Sequence, residues 1–288
     1  MPTPTCRISE HPTRLVGTKT GKFSGEPFQI NQCRSCGFAN VMNPPNMSEI
    51  YDEAYYQGNG ADPLVDYAFE YANPSKTIRT YEWKGIIQLA NGLFPNPITW
   101  LDYGCGTGGL VREARSCTRH QLHGCDSGAW VQRAKTDKLP VSTLDEINKG
   151  GNGFDFVTAI EVLEHIPDPI ETLHDIRKLL KPGGLLFLTT GNVSKAPKHL
   201  IDWSYLIPEI HVSFFTPRSL EVALQKTGFD PFYHKDSKAW TSIIRFKILK
   251  NLGIKQTGWM ERLLPWPLLT QLADVRYGVS NHPMGVAV

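Results

Sequence analysis

The sequence predicts an α/β fold, a mostly parallel sheet with helices on both faces, preceded by a small cysteine-bearing segment. Three observations predict it. Short apolar runs alternate with amphipathic stretches from residue 98 onward, a glycine-rich turn joins the first run to the first stretch, and three of the six cysteines crowd into the first 36 residues. Strands separated by helices at this spacing need crossover connections, and those give parallel pairing. A chain of 288 residues accommodates one large α/β domain plus a modest addition. With 41% hydrophobic and 20% charged residues, wholesale disorder is excluded. The formal charge of +2 is spread without a basic block, so a nucleic-acid partner is not expected. The N-terminus lacks the apolar core of a signal peptide and no run could span a bilayer, so a cytoplasmic protein with reduced thiols is the expectation.

Residues 1–46, rich in Gly, Pro, Thr and Cys, read as loops and short strands. Residues 47–97 form a helical cap region. Ser48 is a candidate N-cap, and Tyr67, Tyr71, Ile78, Tyr81, Gly85 and Leu89 recur at helical spacing. Residues 98–288 form the main domain. Its predicted strands are 98–102, 121–126, 140–144, 154–160, 184–190 and 229–234, with a seventh at 284–288. Helices are expected over 109–116, 129–136, 169–180 and 220–226. A long insertion, 235–283, separates the last two strands.

The chemistry is concentrated in Trp100-Leu-Asp-Tyr-Gly-Cys-Gly-Thr-Gly-Gly-Leu110. A strand ends, glycines make the turn and a helix begins, so backbone can approach a bound cofactor closely. Gly104, Gly106 and Gly109 also satisfy a dinucleotide fingerprint, with Asp126 near the ribose-binding distance. An NAD(P)-binding oxidoreductase is therefore one alternative, and a cofactor-binding protein without catalysis is another. Asp102 weighs against the first: an acid at that strand end suits a cofactor with a cationic amino-acid portion and is awkward beside a pyrophosphate.

Two later segments, Phe154-Asp-Phe-Val-Thr-Ala-Ile-Glu-Val-Leu-Glu-His-Ile-Pro-Asp168 and Leu179-Leu-Lys-Pro-Gly-Gly-Leu-Leu-Phe-Leu188, complete an ordered set that resembles class I S-adenosylmethionine-dependent methyltransferases over about residues 98–232. The resemblance implies their Rossmann-like, seven-stranded fold. It implies that Asp102, Tyr103, Gly104, Cys105, Gly106 and Gly108 hold the methionine part of S-adenosylmethionine and that Asp126, beside Ser127, binds the ribose. Thr143 and Leu144 would flank adenine, and Ile160 and Glu161 the sulfonium. Tyr55 and Tyr56 resemble an aromatic stretch that covers the cofactor in this group; ordinary core packing is the other reading.

A hydroxyl or acidic-carbon acceptor also needs a base, for which histidine is the natural choice. His165 and His211, with Glu209 nearby, lie in segments similar to those of methyltransferases acting on sugars and other small metabolites. That similarity implies a sugar or nucleotide-linked sugar acceptor, with O-methylation ahead of C-methylation and a quinone or polyketide hydroxyl as the alternative. Either histidine could instead be structural. Cys33-Arg-Ser-Cys36 resembles a zinc knuckle of such enzymes. Cys6 begins a second knuckle in which Ser9 replaces a cysteine, so Cys6, His11, Cys33 and Cys36 form the candidate zinc set, against three simply buried thiols. The insertion holds Trp259-Met-Glu-Arg-Leu-Leu-Pro-Trp-Pro-Leu-Leu269. It could cover an acceptor, contact a second copy or rest on a membrane, but plain packing is the expectation, and the few charges of the insertion weigh against the membrane. Oligomeric state is not fixed by the sequence.

Overall fold

The computed structural model describes residues 4–46, 50, 66–127, 130–150, 153–233, 239–269 and 285–287. Strands β1 (Thr13–Thr20), β2 (Pro27–Cys33) and β3 (Ala39–Val41) come first, then α1 (Tyr67–Ala72) and α2 (Arg79–Leu93). The alternating region runs β4 (Thr99–Tyr103), α3 (Gly109–Cys117), β5 (Gln121–Cys125), α4 (Trp130–Thr136), β6 (Val141–Ser142), α5 (Leu144–Gly150), β7 (Phe154–Ile160), α6 (Pro169–Leu179) and β8 (Leu180–Thr189). Strand β9 (Ser213–Phe214), α7 (Pro217–Lys226), β10 (Pro231–Tyr233), α8 (Ala239–Asn251), α9 (Trp259–Arg262) and β11 (Gly285–Ala287) complete it. Tyr55, Tyr56 and Ser48 lie outside the described residues. Among the described residues no helix is long and apolar enough to cross a membrane.

The chain divides into two compact units, one of residues 1–50, 157–233 and 279–288, the other of 51–156 and 234–278. In the second unit β4, β5 and β6 are parallel neighbours, Asp102 lying opposite Gly124 and Tyr103 opposite Cys125. The strands are parallel because α3 and α4 carry the chain back between them. Trp100 and Leu101 are fully buried. Gly109 has no room for a side chain, since a Cβ there would sit 2.1 Å from the Trp83 ring of α2. The insertion helix α8 packs in this same unit. Phe246, Leu249 and Trp266 form a cluster with Ile78, and Arg245 lies over the Tyr81 and Trp266 rings.

In the first unit β10, β11 and β8 are antiparallel neighbours, with β7 beside β8. A second sheet runs β1-β2-β3-β9. Its β1–β2 hairpin shifts register between Leu15 and Gly17, and its inner face (Phe28, Ile30, Ala39, Val41) packs on Leu200, Leu206, Val212 and Phe214. Pairing of Ala39 with Phe214 ties the front segment to the stretch that follows His211.

Of the boundaries that differ from the sequence reading, two have a plain local cause. The third strand stops at Ser142, and Leu144 opens a helix because Thr143 and Glu146 cap each other: Thr143 N–H donates to Glu146 Oε2 at 2.8 Å and Glu146 N–H to Thr143 Oγ1 at 3.3 Å. The fifth strand begins at Leu180 rather than Gly184, since Pro182 disfavours helix at Lys181 and the chain passes directly into extended backbone. Helix α6 starts as read, with Asp168 capping Glu171 N–H at 3.1 Å and Pro169 in its first turn.

Candidate active site

The glycine loop occupies the second unit. Gly104, Gly106 and Gly108 all have positive φ, at 75°, 54° and 75°, the region in which a side chain collides with its own backbone. Asp126, just beyond β5, accepts a hydrogen bond from Gly106 N–H at 2.8 Å, so the two acids expected at the cofactor, Asp102 and Asp126, flank one loop. Asp102 is 95% buried at the end of β4. The buried Cys105 thiol reads the field between them. Its pKa is pushed well up, first by burial and then by the charges of Asp126 and Asp102. Two carboxylates flanking one loop suit a sulfonium and an ammonium and repel a pyrophosphate. S-adenosylmethionine fits this site on that ground.

Tyr103 is buried, Ser127 is exposed, and Thr143 with Leu144 belongs to the α5 cap. Among the described residues, the aromatic ring beside Gly106 is Tyr67 of α1, whose Cε1 would meet an added Cβ at 3.7 Å. Sequence reading placed Tyr67 only on a helical face. One turn on, Tyr71 packs against Trp130 with ring centroids 4.9 Å apart, and Arg112 lies over its ring at 4.1 Å.

The candidate acid–base cluster belongs to the first unit. One donor atom each from Glu164, His165 and His211 lies within 4.8 Å of the others. His165 Nδ1 is 2.9 Å from Ile210 O and His211 Nδ1 is 2.8 Å from Tyr205 O. A carbonyl only accepts, so in both rings Nδ1 carries a proton, and in the neutral ring Nε2 carries the lone pair. The Tyr205 ring stacks on His211 at 4.2 Å, its hydroxyl donates to Glu164 Oε1 at 2.7 Å, and Thr190 donates to Glu164 Oε2 at 2.8 Å. Val212 N–H bonds Glu164 O at 2.7 Å while Val41 N–H bonds Val212 O at 2.9 Å. The front sheet thus fixes where His211 stands against Glu164. Sequence reading missed Tyr205, which lies in a loop with no periodicity, and did not assign Glu164, although it adjoins His165.

Glu164 is fully buried, and its pKa is pushed up from 4.5 to about 7, first by desolvation and then by the neighbouring Glu161 charge. Glu161 has φ 54°, a strained value for a residue with a side chain, and accepts from Thr189 Oγ1 at 3.0 Å; Ile160 precedes it at the end of β7. A folded value above the unfolded one means that Glu164 favours folding fully below about pH 4.5, and this contribution fades as pH rises through about 7, by roughly 3 kcal/mol. Denaturant melts at pH 5 and pH 8 should show that loss, and Glu164→Gln should flatten it. An unchanged pH dependence in the variant would place the titration elsewhere.

Glu209 stands apart from this cluster. Its Oε1 accepts from Phe23 N–H, Ser24 N–H and Ser24 Oγ at 2.9, 3.3 and 3.2 Å, so it pins the β1–β2 turn. Cys6, Cys33 and Cys36 bring their sulfurs within 4.8 Å of one another. Cys6 Sγ lies 3.7 Å from Cys36 Sγ, and the Ser9 hydroxyl lies 3.3 Å from Cys33 Sγ. The hydrogen bond to Cys36 pulls the Cys6 thiol down to about 5. His11 is exposed, with Nδ1 on Ser9 O at 2.7 Å, and is not part of the three-sulfur group. Among the described residues these thiols and the Glu164 cluster are the two groups arranged to hold a metal.

Residues 76–234 match a family model described as a methyltransferase domain, and this match spans more than half of the chain. The chain belongs to that family and is of the class I S-adenosylmethionine-dependent methyltransferase type. Among curated proteins, the ubiquinone biosynthesis O-methyltransferase of Erwinia tasmaniensis is 36% identical over 124 residues, covering 37% of this chain and 47% of the relative. That of Cereibacter sphaeroides is 31% identical over 166 residues, covering 47% and 61%. The chain spans about half the length of the curated relatives it matches. Among solved structures, Haemonchus contortus phosphoethanolamine N-methyltransferase 2, in complex with phosphomonomethylethanolamine and S-adenosylhomocysteine, has a TM-score of 0.55 at 20% identity, covering 87% of this chain and 62% of that one. This last is a likeness of fold.

Proposed function

We propose that the protein transfers a methyl group from S-adenosylmethionine to a hydroxyl of a small aromatic acceptor of the kind met in quinone biosynthesis. The observation that carries the reading is the pair of histidines with fixed tautomers beside a buried carboxylate. The curated relatives, O-methyltransferases of ubiquinone biosynthesis, favour this acceptor over the saccharide that the segments around His165 and His211 suggested. When bound, S-adenosylmethionine supplies a methyl group that is already electrophilic. Asp126 and the Gly104–Gly108 backbone orient it, and Asp102 complements its positive charge. His211 Nε2 takes the hydroxyl proton, and Glu164 steadies the resulting imidazolium. Tyr205 acts as a positioning residue, holding His211 by its ring and carbonyl and Glu164 by its hydroxyl.

The test is transfer of label from methyl-labelled S-adenosylmethionine to an ortho-diphenol, run beside a nucleotide sugar. Label in the diphenol supports the proposal; label only in the sugar overturns the acceptor while leaving methyl transfer intact. Turnover should need no added divalent cation, because the histidines act as bases. Strict dependence on an added divalent cation would recast Glu164, His165 and His211 as metal ligands.

The front thiols are proposed to hold zinc through Cys6, Cys33 and Cys36. Metal analysis should find about one zinc per chain, lost in Cys33→Ser and retained in His11→Ala. Zinc well below that ratio, removable without change in folding, contradicts the site.

A further inference from the structure

The insertion that carries α8 and α9 buries only part of its apolar surface. Its inner side is satisfied: Trp266 is buried against Phe246, Leu249 and Ile78, and its indole N–H donates to Glu261 O at 2.7 Å. Leu252, Trp259, Leu263 and Leu268, all within seventeen consecutive residues, are 65%, 72%, 73% and 56% exposed. None belongs to that cluster, so folding of the insertion does not require them. Four large apolar side chains presented by one short segment mark an interaction surface.

The charges around them name the occupant. Residues 239–269 hold five basic residues, Arg245, Lys247, Lys250, Lys255 and Arg262, and one acid, Glu261. Glu261 is buried, bonded by the Tyr81 hydroxyl at 2.6 Å and ion-paired with Arg245. The carboxylates of the adjoining helices, Glu70 and Glu82, are both engaged by Arg79, and Glu82 also by Lys247 at 3.9 Å. Lys255 is exposed, and the bridge between Thr77 and Gln256 brings it beside exposed Lys76. The small number of charges in the insertion argued against a membrane from the sequence, but those of residues 239–269 are basic with one exception. An isologous contact between two copies would bring these like charges together. A layer of anionic headgroups complements them and accepts tryptophan and leucine at its apolar boundary.

We propose that this segment docks on an anionic lipid surface, with Trp259 and Leu263 entering the headgroup–acyl boundary and Lys76, Lys250 and Lys255 contacting headgroups. The inference is independent of the acceptor. It is tested by co-sedimentation of the full chain with phosphatidylcholine vesicles, with and without roughly one-third phosphatidylglycerol. Binding should require the anionic lipid and weaken several-fold as salt is raised. The Trp259→Ser/Leu263→Ser variant should bind about tenfold or more weakly, with S-adenosylhomocysteine affinity as the check that it is folded. Lys250→Glu/Lys255→Glu should weaken binding to the anionic vesicles alone. The proposal is overturned if neither vesicle retains the wild-type chain, if both do so equally, or if the chain sediments as a dimer that the Trp259/Leu263 variant dissolves.

Discussion

Replacing His211 with alanine is expected to lower turnover by about a hundredfold or more while S-adenosylhomocysteine binds within about twofold of wild type. The split follows from where the residue stands. His211 is buried in the first unit, its Nδ1 proton committed to Tyr205 O at 2.8 Å and its ring stacked on Tyr205, whereas the Gly104–Gly108 loop and Asp126 belong to the second. Removing the imidazole takes away a proton acceptor and leaves the cofactor loop untouched. Asparagine should not restore activity, because an amide cannot take a proton near neutral pH. Wild-type kcat should rise with pH as the base becomes neutral, and the variant should lose this limb. A variant whose kcat falls less than about threefold would make His211 structural and move the base to His165.

Replacing Asp126 with alanine is the second large effect. It should weaken S-adenosylmethionine and S-adenosylhomocysteine by tenfold or more, on the order of two charge-assisted hydrogen bonds, with kcat at saturating cofactor much less affected. The carboxylate lies over the loop on Gly106 N–H at 2.8 Å. Losing it removes the carboxylate proposed to bind the ribose and part of the negative field that keeps the Cys105 thiol protonated. The Cys105 pKa should therefore fall in the variant, and alkylation of that thiol against pH reports it separately from binding. Unchanged cofactor affinity takes Asp126 out of the site.

These two residues also show what the sequence made legible. Asp102, the glycines and Asp126 fall at strand ends, where a parallel sheet must present its ligand site, and the strand–helix alternation that puts them there is written in local apolar periodicity. β4, β5 and β7 accordingly match their expected ranges closely. The acid–base cluster is different in kind. Tyr205, Thr190 and Glu164 meet through tertiary contacts between a loop, a strand end and a single 3₁₀ turn, and no spacing rule links residues 26 and 41 positions apart. The front segment hid its role for the same reason. Its Cys-x-x-Cys pattern drew attention to metal, while the pairing of β3 with β9 that holds His211 in place is non-local. Glu209 drew attention by lying two residues from His211, but the chain turns between them and aims its carboxylate at Phe23 and Ser24. Leu144 was read as strand because a Thr143–Glu146 cap resembles any other polar turn until both partners are seen to close.

The most direct test of the central claim is calorimetric titration of the purified chain with S-adenosylhomocysteine, with NADH as the control. The account predicts micromolar binding of S-adenosylhomocysteine, lost in Asp126→Ala, and no heat with NADH beyond dilution. Binding of NADH alone would contradict it and return Gly104, Gly106 and Gly109 to a dinucleotide site.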